Sequence, residues 1–198
     1  MATMHHVVAP KKQLLNFLSG SVYDSNTVNF WLQKINPLWS THEMLGQIVK
    51  KQSIADDMVS LTIHCNQRMQ FGIAGQHHPV HVEIQGRRYE RTYSLTQLDE
   101  HHVQLTLKKI QGGIVSTWLC EQAQIGDVIE FEAPYGDMLL TTQNQKKVLL
   151  LAAGSGITPM YSMLEGLHRS GHLKDYDIHL MYWAQHATGL AFKTQFEA

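Results

Sequence analysis

Three short stretches of this chain combine residue types that can hold a phosphorylated, ring-bearing ligand. In Arg91-Thr92-Tyr93-Ser94, arginine can grip a diphosphate, tyrosine can stack on a flat ring, and the serine hydroxyl can donate to a ring nitrogen. In Gly112-Gly113-Ile114-Val115-Ser116-Thr117, a glycine turn opens a short helix. Free backbone N–H groups there attract phosphate, and glycine permits its close approach. In Gly154-Ser155-Gly156-Ile157-Thr158-Pro159, glycines lead from an apolar strand into a helix, which sets a nucleotide diphosphate on the helix dipole. Each stretch also has a plainer reading: a strand with a salt bridge, a turn with Ser116 or Thr117 near the cap, and a lone Gly-x-Gly. The third is not a P-loop, since no Gly-Lys-Ser/Thr follows, and Pro159 stands where the last glycine of the dinucleotide fingerprint would be.

The elements that must position these residues fall into three parts. From Gln13 to about Ser40 the apolar spacing predicts two short amphipathic helices, separated near Gly20, with N-caps at Asp24-Ser25-Asn26 and a stop at Pro37. Their aromatic residues suit either packing on their own domain or contact with a membrane surface or partner. From about Met44 to Gln145 short alternating runs follow: Met58 to Ile63, Val80 to Ile84, Val103 to Leu107, and Val128 to Phe131. Glycine and aspartate turns separate them, which predicts an antiparallel sandwich or barrel with a short helix over Val115–Glu121 and Arg91-Thr92-Tyr93-Ser94 at a strand end. From Lys147 onward, Val148 to Ala153 reads as a strand buried on both faces. A helix from Pro159 to about Arg169, a strand over Ile178–Trp183 and a helix over Leu190–Phe196 complete a right-handed β-α-β unit. Two parallel strands leave open edges, so the chain reads as stopping midway through an α/β domain.

Composition narrows the function. The 198 residues are 43% hydrophobic and carry 16 Lys and Arg against 17 Asp and Glu, a net charge of −1 that gives no basic footprint for nucleic acid. No apolar run spans a membrane and no secretory leader opens the chain, which points to a cytoplasmic protein. Cys65 and Cys120 cannot build a disulfide scaffold or a cysteine-rich zinc site. Full protonation of the thirteen histidines would move the net charge from −1 to +12. His77-His78 and His81 share one predicted strand, where alternation leaves His77 and His81 too far apart for a common ligand set, so a polar strand that is exposed or lies beside a bound ligand is expected. His168 and His172 have helical spacing, but Gly171 should end the helix between them; no metal is assigned. Cys120 reads as packing without a basic partner, and Asp56-Asp57 as a turn.

The order of the three motifs, with the switch from barrel to α/β, resembles the ferredoxin–NADP reductase superfamily. Its Arg-x-Tyr-Ser motif corresponds to Arg91, Tyr93 and Ser94, its Gly-x-x-Ser to Gly113 and Ser116, and its pyridine-nucleotide loop to Gly154 through Pro159. Gly75-Gln76 and Pro134-Tyr135-Gly136 resemble two further family turns, with Ala74, Ala133 and Met138 as departures. The resemblance runs from about Leu45 to the C-terminus. It implies an antiparallel FAD-binding β-barrel over 43–145 and the first half of a parallel α/β NAD(P)-binding domain over 146–198. A helical extension over 1–42 precedes them.

It also implies an enzyme passing electrons from NAD(P)H through FAD to an iron–sulfur centre or other redox partner. The alternative is an FAD-binding fragment without turnover. Ser94 would contact flavin N5 and Tyr93 would stack on the ring. Arg91, Thr92 and the stretch Gly112, Gly113, Ile114, Val115 and Ser116 would contribute to FAD binding. Gly154, Ser155, Gly156, Ile157, Thr158 and Pro159 would form the nucleotide loop. The N-terminal stretch from Phe30-Trp31-Leu32 to Trp39-Ser40 resembles reductases that serve membrane fatty-acid desaturases, whose longer chains carry a plant-type [2Fe–2S] domain. Two cysteines cannot ligate that cluster here. NADPH-preferring relatives have an arginine where this chain has Gln185, beside His186, which leans the reading to NADH.

Overall fold

The computed structural model describes residues 25–140 and 146–196. The helix expected before Gly20 lies outside them. Two compact units divide the chain, Met1–Thr41 and His42–Ala198. In the first, helix α1 runs over Ser25–Ile35, and Pro37 follows its end as expected. Asn29 is its buried residue, and its Oδ1 accepts from the Thr41 N–H at 2.8 Å and the Thr41 hydroxyl at 2.9 Å. Phe30, Trp31, Ile35 and Trp39 are exposed. Inward packing of these aromatics is therefore not what holds α1; a buried amide anchors it instead.

The second unit begins with β1 (Met44–Ala55), β2 (Met58–Cys65), β3 (His77–Ile84), β4 (Arg87–Gln97), β5 (His102–Lys108) and β6 (Val128–Phe131). They close into an antiparallel barrel in the order β1-β2-β5-β4-β3-β6. Alternation puts Ile48, Leu61, Ile63, Val80, Leu105, Ile129 and Phe131 into one core. Two register shifts in β1, between Ile48 and Lys50 and between Ser53 and Ala55, bend the strand as closure requires. At Gly46 a side chain would strike Ile63 Cγ2, so glycine allows β1 to cross that close.

Strands β4 and β5 pair only over Leu95–Gln97 and Val103–Leu105. Where they part, the short helix α2 (Ile114–Thr117) lies against β4 and continues into a π-helical turn over Trp118–Gln122. Val115 and Leu119 enter the barrel core from it.

The parallel pair β7 (Lys147–Ala153) and β8 (Asp177–Trp183) is joined through α3 (Ile157–Arg169), and α4 (Lys193–Phe196) follows. Burial of β7 on both faces is not found. Leu150 and Ala152 are buried, while Leu149 (58%) and Leu151 (54%), with Met181 and Trp183 of β8, are exposed. Among the described residues nothing covers that second face. Helix α3 starts two residues before Pro159, and α4 starts at Lys193 because Phe192 takes a left-handed backbone (φ 62°). The buried Phe192 ring stacks on Tyr161 at 3.9 Å. A second core of Ala152, Ile157, Tyr161, Ala191 and Phe192 includes Met58, so the β-α-β unit shares its packing with the β1–β2 hairpin.

Candidate functional site

Arg91-Thr92-Tyr93-Ser94 stand inside β4, not at a strand end, because the ladder continues through Leu95–Gln97 to β5. Opposite them on β3 lie Val80, Pro79, His78 and His77. Arg91 is exposed, and its Nη1 donates to the Glu90 carbonyl at 2.6 Å. Among the described residues no carboxylate pairs with it, so its positive charge is available to an anion. Tyr93 is half-buried against the barrel core, and burial pushes its phenol up to about 12, keeping it neutral. Ser94 is also half-buried, and its hydroxyl has no hydrogen-bond partner among the described residues. Thr92 Oγ1 lies 3.1 Å from the Tyr135 hydroxyl.

The second motif lies against the same strand, and Tyr93 senses both Arg91 and Cys120 of the π-helical turn. Gly112 takes a left-handed backbone (φ +74°) facing open space. At Gly113 a Cβ would meet Ser116 Oγ at 2.5 Å. The Ser116 hydroxyl accepts from the Ile110 N–H at 3.1 Å and so fastens the turn without capping the helix. Gly113 N–H is already bonded to the Ile110 carbonyl at 2.9 Å. The first-turn amides of Ile114, Val115 and Ser116, which have no acceptor within the helix, are the donors left for a phosphate. Lys51 and Lys109 do lie near Cys120, contrary to the sequence expectation, but burial outweighs them and holds the thiol above its ordinary range.

In the third motif, Gly154 takes φ +52° and opens a 3₁₀ turn over Gly154–Gly156 that leads into α3. Thr158 Oγ1 donates to the Ser155 carbonyl at 3.1 Å, and the space over Gly154 and Gly156 is open. Helix α3 is fixed to β4 by Ser162, whose hydroxyl donates to the Leu95 carbonyl at 2.7 Å, and by Arg169 Nη1, which donates to the Gln97 carbonyl at 2.9 Å. A cleft of about 450 Å³ lies at the carboxyl ends of β7 and β8, lined by Gly154, Trp183, Gln185 and His186. That end of a parallel sheet is where α/β folds take nucleotides. Asp56, Asp57 and Lys108 also line it, with Lys108 Nζ 2.6 Å from Asp57. Sequence reasoning took Asp56-Asp57 as a turn, which is correct, but no local signal could place that turn in the cleft.

Two turns far apart in the chain are tied together at the rim. Gln76 Nε2 donates to the Gly136 carbonyl at 3.2 Å. A Cβ at Gly75 (φ +101°) would strike the Met138 carbonyl. The histidine-bearing strand is more buried than expected, with His78 1% and His81 7% exposed. It is flanked by β4 and β6 in the barrel. His78 Nε2 donates to the Gln70 carbonyl at 2.9 Å, and its Nδ1 has no partner among the described residues.

These residues suit a flavin dinucleotide: an arginine with no carboxylate partner among the described residues and a neutral, half-buried tyrosine lie on β4, and a short helix with first-turn amides left over packs against that strand. A closed barrel plugged by a short helix, followed by a parallel β-α-β unit with a glycine turn, defines the architecture of flavin reductases. Residues 46–139 match the family described as "Oxidoreductase FAD-binding domain". An "NADPH oxidoreductase" of Mycobacterium tuberculosis is 33% identical over 151 residues, 73% of this chain and 40% of that protein. Phthalate dioxygenase reductase, described as a modular structure for electron transfer from pyridine nucleotides to [2Fe–2S], superposes with a TM-score of 0.65 at 27% identity, covering 79% of this chain and 48% of that one. The flavohem-like FAD/NAD binding domain of nitric oxide dioxygenase from Vibrio cholerae shares the fold, with a TM-score of 0.70 at 21% identity over 79% of this chain and 68% of that one. The barrel of this chain, residues 46–139, matches the FAD-binding domain of oxidoreductases, and the chain is similar in fold to reductases of the ferredoxin–NADP reductase type. It spans less than half the length of the curated relative and of the phthalate reductase.

Proposed function

We propose that the chain binds FAD between β4 and α2, takes electrons from NAD(P)H at the cleft beyond β7 and β8, and hands them to an iron–sulfur or other acceptor protein. The observation that carries this reading is Arg91, an exposed guanidinium with no carboxylate partner among the described residues, on the strand against which α2 packs. Arg91 and those amides would hold the diphosphate, Tyr93 would lie against the flavin ring, and the free Ser94 hydroxyl would donate to its N5. When bound, FAD supplies acceptance of a hydride and release of single electrons. Residues 43–145 would be the FAD domain and 146–198 the first half of the nucleotide domain, with Gly154 to Pro159 at the nucleotide diphosphate.

NADH is the favoured donor in this reading. Gln185 can hydrogen-bond a ribose hydroxyl but cannot neutralise a 2′-phosphate. Asp56 and Asp57 add negative charge to the same cleft, where Lys108 is already paired. A membrane desaturase as final acceptor rests on the N-terminal resemblance. Cys65 and Cys120 cannot ligate a cluster, so an iron–sulfur centre would be held by other residues than these.

The test is to titrate the purified chain with FAD, then add NADH or NADPH without oxygen at about pH 8. Flavin absorbance that bleaches with NADH supports the full reading. Colour without bleaching by either nucleotide leaves FAD binding and favours the binding-only alternative. A protein that takes up no FAD refutes both. A tenfold preference for NADPH, with no further gain in Gln185→Arg, defeats the donor assignment.

A further inference from the structure

We propose that His81, Glu90 and Glu132, on the outer surface of the barrel, form a binding site for one zinc-type divalent cation. Three features of this group support it.

The first is placement. His81 lies at the centre of β3, directly opposite Glu90 of β4. Glu132 follows β6, and its N–H donates to the Pro79 carbonyl at 3.0 Å, which fixes it alongside β3. One ligand from each of three neighbouring chain segments thus converges on a point, with ligand atoms all within 4.8 Å of one another. The imidazole is 7% exposed and so held in place, while the carboxylates, at 58% and 55%, are free to adjust.

The second is spacing. His81 Nε2 lies 2.7 Å from Glu132 Oε1 and 3.9 Å from Glu90 Oε2. Zinc bonds of about 2.0 to 2.2 Å in a tetrahedron separate ligand atoms by about 3.3 Å, between those two distances. Shifts of roughly half an ångström would bring each exposed carboxylate to that spacing from His81, leaving a fourth position for solvent.

The third is charge. Arg88 pairs with Glu130 at 2.9 Å, which removes the neighbouring acid from the group. Among the described residues no lysine or arginine pairs with Glu90 or Glu132. Two carboxylates therefore face one imidazole, and a divalent cation balances them. A nitrogen ligand with two oxygens suits zinc better than magnesium or calcium, which prefer oxygen alone. The site is separate from the proposed flavin contacts, because strand alternation turns Glu90 and Arg91 to opposite faces of β4.

The experiment is zinc calorimetry on the chelator-treated 198-residue chain, with magnesium as the comparison ion. Thirteen histidines can bind zinc elsewhere, so the variants decide. One equivalent of zinc should be lost, or weakened at least tenfold, in His81→Ala, Glu90→Gln and Glu132→Gln, and retained in Glu130→Gln. The two exposed Glu→Gln variants carry the test if His81→Ala fails to fold. Zinc binding unchanged in Glu90→Gln and Glu132→Gln, equal loss in Glu130→Gln, or no zinc bound at all would overturn the proposal.

Discussion

The Ser162 hydroxyl on α3 donates a 2.7 Å hydrogen bond to the carbonyl of Leu95, the residue that follows Ser94 on β4. A helix opened by the nucleotide-type glycine turn is thereby locked, through a buried contact, to the strand bearing the flavin-type motif. The bond crosses 67 residues of chain. Replacing Ser162 by Ala leaves the buried carbonyl without its donor and should cost about 1 to 3 kcal/mol of stability. Urea unfolding followed by tryptophan fluorescence measures it, and an unchanged midpoint would show the bond to be dispensable.

Arg91→Ala should weaken FAD binding by about ten- to a hundred-fold, the loss expected for a charge-assisted diphosphate contact. Stability should hardly move, since the side chain is exposed and unpaired with any acid among the described residues. Flavin fluorescence titration of the apoprotein reads the affinity.

Gly113→Ala places a methyl 2.5 Å from Ser116 Oγ, so the hydroxyl must leave the Ile110 N–H it holds at 3.1 Å. Ser116→Ala removes the same bond directly. Because both act on one contact, the double variant should lose less stability than the two single losses added together. A double-mutant cycle by chemical denaturation checks this, and strict additivity would contradict it.

Burial of His78 lowers its pKa below the ordinary 6.5, more than its bond to Gln70 raises it. The unfolded chain takes up a proton near pH 6.5 while the folded chain resists, so this histidine makes stability fall as pH drops below about 6.5. Between about pH 7.5 and 5.5, His78→Gln should lose less stability than the parent. Parallel pH-dependent slopes in the two proteins would rule this out.

The alternating exposure of β7 has its own test. Leu150→Ala, at a buried site, should cost about 2 to 4 kcal/mol. Leu151→Ala, at a site 54% exposed, should stay within about 0.5 kcal/mol. Thermal unfolding of the pair distinguishes alternation from the two-sided burial that the apolar run predicts.

Much of this protein is written locally. Period-two alternation in Met58–Cys65 and His102–Lys108 is enough to make strands with one apolar face, and glycine at positions 112 and 154 marks turns with left-handed backbone. The order Arg-x-Tyr-Ser, Gly-x-x-Ser, glycine turn already implied a flavin–nucleotide protein, because each motif needs only a few neighbouring residues to be recognisable. Tertiary structure decided what lies on the far side of each element. Val148 to Ala153 is apolar throughout, yet whether both faces are covered depends on what packs there, and a strand's own sequence does not carry that. Asp57 and Lys108 reach the cleft, and His81 meets Glu90 and Glu132, only through strand pairing and packing between distant residues. Local sequence sets which way a side chain faces along its own strand; the register between strands and the docking of helices set what it meets.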